Sequence, residues 1–238
     1  SHNRGSNSVK STLESIASMR RGADARRERN PQFSLSHVEY FTKEEVELLK
    51  DILLECSSAK EMASIINEID NPMALSQLSS DKFDFIEDSV VRVDFVLEVM
   101  DHEDSTGHMF IRDAIKDSDD HELSQIWDNL DSIPSEPRKY LVERYSHRAA
   151  FTAKTMDELK SKTAKVPARF PDSSGTPSDE MEHGVIGLLQ ARSEGAALLE
   201  NVPDYDILLL AGYSETWADG YILRNEVEIK RPGKDVNK

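Results

Sequence analysis

The sequence predicts an α+β protein: an acidic, all-helical N-terminal region followed by a small helix–strand–strand α/β core. Three observations carry that expectation. Apolar residues recur at helical spacing behind capping boxes through the first two thirds of the chain. A stretch rich in Pro, Gly, Ser and Thr, residues 163–178, then interrupts the pattern. Beyond it, the runs "YDILLLAG" and "YILRNEVEIK" read as two strands.

Taken in order, residues 1–36 read as a basic flexible arm. Residues 1–30 hold seven Lys/Arg against three Asp/Glu, and the cluster Arg26-Arg27-Glu28-Arg29 lies among Ser, Asn and Gly. Residues 37–162 read as the helical domain. Thr42-Lys43-Glu44-Glu45 forms a capping box before "VELLKDILLEC", and Ser58-Ala59-Lys60-Glu61 a second before "MASIINEI". Asn71-Pro72 breaks that helix. In "DKFDFIEDSVVRVDFVLEVM", Ile86, Val90, Val93, Leu97 and Met100 fit a helix, although the β-branched and Phe content also suits a strand. "FIRDAIKDSDDHELSQIWDNLDSI" and "PRKYLVERYSHRAAFTAKTMDELKSK" supply two or three more helices. Residues 163–178 are the expected linker and residues 179–238 the core. The core opens with a helix capped by Ser178 that carries Asp179, Glu180 and Glu182 in its first turn, where the helix dipole favours acids.

Composition bounds the function. The 238-residue chain is 38% hydrophobic and 31% charged and has a net charge of −16. No run of about 18 apolar residues exists to span a bilayer, and no apolar stretch follows the N-terminal basic residues as a secretory signal requires. The single cysteine, Cys56, allows neither an internal disulfide nor a cysteine-based zinc site, which points to an intracellular, reducing setting. Residues 31–150 hold eleven Lys/Arg against twenty-seven Asp/Glu. So acidic a surface repels phosphates and is a poor face for nucleic acid; it serves solubility first, and otherwise suits a partner protein, a second copy or an acidic gate.

The end of the chain carries the motif of most chemical interest. In a strand, residues two apart share a face, so Glu228 and Lys230 would lie side by side while Val227 and Ile229 face a core. Asp206 would open the preceding strand, before four consecutive apolar residues that suit a strand covered on both faces. Two carboxylates converging at a strand edge would make an oxygen-ligand site for magnesium or manganese. The lysine would balance charge and steady the attacked phosphate. The count of such pairs decides nothing: random placement gives about two or three acid-x-Lys triplets in this composition, and the chain has two. The other, Glu158-Leu159-Lys160, sits in a helical pattern. An exposed edge strand carries Glu and Lys on its solvent face for ordinary reasons, and Asp is a common turn residue.

Asp206 followed by hydrophobics, then Glu228-x-Lys230 within "VEIKRP", resembles the PD-(D/E)XK nuclease superfamily, and the local string is similar to the motif of Shedu-type anti-phage nucleases. The resemblance spans residues 178–233. It implies a metal-dependent nuclease that cuts DNA, or less expectedly RNA, plausibly in host defence. Asp206 and Glu228 would be metal ligands, Lys230 the catalytic lysine, and Glu182 the helix acid that completes the site, with Glu194 behind it. Pro203-Asp204 is a literal "PD", so Asp204 competes with Asp206 for the ligand role. Arg224 and Arg231 would hold substrate phosphates. Such a core needs a further helix and strand, yet eight residues follow Lys230. A truncated core, or one completed by a partner or an upstream segment, is therefore expected. The competing expectation is a non-catalytic interaction or scaffold protein with acidic helices and a structural C-terminal sheet.

Overall fold

The computed structural model describes residues 40–69, 71–166 and 175–229. The chain divides into two compact units, Ser1–Asp117 and Ser118–Lys238. The middle of the stretch expected to link domains, residues 163–178, lies outside the described residues. Among the described residues there are eleven α-helices and no β-strand. The expected α+β class is thereby corrected to an all-helical fold.

The first unit comprises α1 (Lys43–Glu55), α2 (Ala59–Ile69), α3 (Pro72–Leu78), α4 (Ser89–Val99) and α5 (Ser105–Asp117). Thr42 closes α1 with a complete capping box, its hydroxyl accepting from Glu45 N–H. Ser58 forms only half of the second box. It accepts from Glu61 N–H, but the Glu61 carboxylate reaches past it to the backbone and hydroxyl of Ser57. Asn71 caps α3, with Pro72 in its first turn. The ambiguous segment is helical from Ser89, because the Asp88 side chain accepts from Val90 and Val91 N–H and starts α4 there.

Lys82 and Phe83 precede α4 with positive φ values of 60° and 61°. Left-handed non-glycine residues cost of order 1 kcal/mol or more each. The return is visible in the core. Phe83 is fully buried, and its ring stands edge-on to Phe95 and Phe110, with both centroids 5.3 Å away. Arg92 is buried beside this cluster and donates to the Ile86 carbonyl at 2.8 Å, with Asp117 at 3.4 Å and Asp84 at 3.7 Å balancing its charge.

The second unit holds α6 (Asp120–Asp128), α7 (Ser135–Thr152), α8 (Met156–Thr163), α9 (Asp179–Ser193), α10 (Asp204–Leu210) and α11 (Glu215–Ile229). Its centre is the pair α7 and α9. A Cβ built on Gly187 of α9 would stand 2.1 Å from the Glu143 carbonyl oxygen of α7, so only glycine lets the two backbones meet there. Leu141, Val142, Ala149 and Ala150 of α7 are buried, as are Val185, Leu188 and Ala191 of α9. Arg138 and Glu180 pair at 3.3 Å with little exposure, and Arg138 also donates to the Ile133 carbonyl. Helices α6 and α8 pack on α7, and α10 packs on both α9 and α11.

Candidate functional site

The residues expected to form a metal site lie on three helices. Glu182 is exposed in the first turn of α9, and Asp206 is exposed in the first turn of α10. Glu228 stands in the last turn of α11, and Arg224 is exposed one turn earlier. Lys230 and Arg231 lie outside the described residues. The described residues of both expected strands are thus helical or in a helix-ending turn, and the argument that set Glu228 and Lys230 on one strand face does not apply.

The physical reason is local. "YDILLLAG" ends in a glycine stop. Gly212 has φ of 103°, its N–H donates to Leu209 O, and Tyr213 N–H donates to Leu208 O. That is the Schellman pattern of a helix C-terminus. The same device ends α9 at Gly195, where Gly195 N–H reaches Arg192 O and Ala196 N–H reaches Ala191 O. In α11, Trp217, Ala218, Tyr221 and Ile222 recur at helical spacing, with Ala218 buried. Asp204 is also accounted for: Arg192 binds its carboxylate at 2.6 Å and the Val202 carbonyl at 2.8 Å, tying the start of α10 to α9. Among the described residues no three His, Cys, Asp or Glu side chains gather as a metal ion would require.

Asp206 instead lines a cleft of about 500 Å³ between α8 and α10. Met156, Val202, Leu209 and Leu210 give it an apolar floor, and Lys160 and Asp206 also line it, one on each helix. Among the described residues, neither the Lys160 ammonium nor the Asp206 carboxylate has a hydrogen bond or ion pair. The Thr163 hydroxyl, also in the lining, is taken up by the Leu159 and Lys160 carbonyls of its own helix. Sequence reading missed this site because Lys160 belonged to the triplet that carried no meaning by spacing.

A second feature lies in the first unit. Asp94 of α4 is half-buried, and burial, reinforced by the nearby charges of Glu98 and Asp88, raises its carboxyl above the usual range. Among the described residues no cation pairs with it. Of the seven Lys/Arg between residues 40 and 117, Lys50, Lys82 and Arg92 are occupied by ion pairs inside the unit, whereas nineteen Asp/Glu share that span.

No protein family, curated protein or solved structure matches the chain. Among the described residues no helix is long and apolar enough to cross a membrane.

Proposed function

We propose that this chain is a non-catalytic interaction protein whose acidic N-terminal helical unit receives a basic partner. The observation that carries the reading is the unpaired carboxylate ridge on α4. Asp94 and Glu98 stand four residues apart on one helix, a spacing at which like charges destabilise. A cationic side chain from a partner would relieve that repulsion, so the ridge is unfavourable alone and favourable in a complex. The nuclease reading loses the paired strands on which it was built.

Two measurements on the full chain test the proposal. The first titrates a fluorescent Lys/Leu-rich amphipathic peptide with wild type and with the Asp94→Asn, Glu98→Gln double variant at low and moderate salt. Wild type is expected to bind in a salt-dependent way, and the variant about tenfold more weakly while melting at a higher temperature. Equal binding by both would overturn the assignment of the ridge. The second incubates labelled DNA and RNA with magnesium or manganese, using Lys230→Ala as control. Cleavage that disappears in that variant would replace the interaction reading with the nuclease.

A further inference from the structure

The cleft between α8 and α10 supports an inference independent of the acidic unit. Its volume of about 500 Å³ falls among small-ligand clefts. It is also larger than a single amino acid fills. The floor of Met156, Val202, Leu209 and Leu210 asks for an apolar body, and the thioether of Met156 adapts to its shape. The polar chemistry is equally restricted. Thr163 has its hydroxyl turned back on α8, which leaves the Lys160 ammonium and the Asp206 carboxylate as the charged groups on the walls. They carry opposite signs, sit on different helices and have no partner among the described residues.

We infer that this cleft binds a short zwitterionic peptide with apolar side chains. Asp206 accepts hydrogen bonds from its terminal ammonium and Lys160 donates to its terminal carboxylate. A fatty acid would satisfy Lys160 but bring its charge or its chain against the Asp206 carboxylate. An apolar amine would do the reverse. A ligand with both termini free matches both walls, and charge-assisted contacts of this kind are the stronger class of hydrogen bond.

The test is calorimetric titration of the full chain with leucyl-leucine, N-acetyl-leucyl-leucine and leucyl-leucinamide. Wild type, Asp206→Asn and Lys160→Gln are compared, with circular dichroism confirming that each variant stays folded. Both side chains are exposed, so neither change removes core packing. Leucyl-leucine is expected to bind wild type, and each substitution to weaken it about tenfold. Acetylation should weaken binding to wild type but not to Asp206→Asn, and amidation should weaken binding to wild type but not to Lys160→Gln. Absence of binding by wild type at millimolar peptide overturns the inference. So does binding of the blocked peptides as tightly as the free one, which would mean that the cleft takes an internal segment of a protein instead.

Discussion

Replacing Gly187 with alanine tests the account of the second unit most directly. The new Cβ would stand 2.1 Å from Glu143 O, 3.0 Å from Glu143 C and 3.2 Å from His147 N, whereas ordinary contact begins near 3.4 Å. All three atoms are backbone, so no side chain can turn aside. Helices α7 and α9 must separate by more than 1 Å to admit the methyl group, taking 3.4 Å as the distance to restore. A gap of about 0.5–1 Å already forfeits roughly a quarter to a half of the dispersion attraction across a contact. Overpacking of this kind costs about 3 kcal/mol. Alanine returns about 1 kcal/mol of helix propensity, so the net loss is about 2 kcal/mol. At about 4 °C per kcal/mol, Tm falls by roughly 8 °C. Thermal unfolding followed by circular dichroism and by emission of Trp127 measures this. Trp127 is buried and stacked on Tyr145 of α7 at 4.0 Å, so it reports on this unit. Two further glycines serve as controls. A Cβ at Gly220 meets nothing within 4 Å, so Gly220→Ala should gain about 1 kcal/mol. A Cβ at Gly184 makes ordinary contacts starting at 3.5 Å, so that variant should also gain up to about 1 kcal/mol. If Gly187→Ala melts at or above the wild-type temperature, the close backbone approach is refuted.

Asp94→Asn should raise the Tm at neutral pH. Its folded-state carboxyl lies above the ordinary value of 3.8, so the wild-type protein gains stability as pH falls through that raised value, and the variant lacks this gain. Glu194 and Asp120 have the opposite sign. Hydrogen bonds from His147 and Arg148 lower them, so their stabilisation is present above 4.5 and 3.8, respectively, and is lost as pH falls through the lower folded values. Acid titration of His147→Ala and Arg148→Ala should therefore show a smaller loss than wild type. Glu180→Ala should cost about 3 kcal/mol in denaturant unfolding, because Arg138 keeps its charge in a nearly closed site. Cys56 should react slowly with iodoacetamide at neutral pH and faster as pH rises toward 11, since burial and the charges of Glu61 and Glu55 push its thiol up to about 11.

Helix boundaries set by one side chain were legible in the sequence. Thr42 and Ser178 cap where their residue types and neighbours indicate, and the expected break at Asn71-Pro72 falls between α2 and α3. The acids expected in the first turn of α9 are there too, Asp179 and Glu182 exposed but Glu180 buried against Arg138. The strand reading failed at α10 because four consecutive apolar residues fit two environments equally well. A strand covered on both faces presents that run, and so does a short helix surrounded by other helices. Gly212 was the signal that separates them, since a glycine directly after an apolar run marks a helix stop. No local signal could reveal Gly187, whose role depends on a carbonyl 44 residues away in sequence, at Glu143.

The site was harder to read for the same reason. Spacing set Glu228 with Lys230 on one strand, and the expected pairing of two strands set Asp206 beside them. Folding pairs residues through packing, and it sets Asp206 across a cleft from Lys160. Within α10, Ile207, Leu208 and Leu210 are buried, while Leu209 is left half-exposed in the cleft wall. The last four residues of this seven-residue helix thus serve two surfaces, Ile207 and Leu208 filling the core while Leu209 and Leu210 line the cleft. The Arg192–Asp204 pair fixes the start of that helix, and the Gly212 turn fixes its end. Asp206 and Leu209 are three residues apart, a spacing that places them on one helix face. The carboxylate and the apolar floor are consequently presented together. Changing Arg192 to alanine should therefore loosen α10 and weaken ligand binding at the cleft, although Arg192 itself lines no part of it.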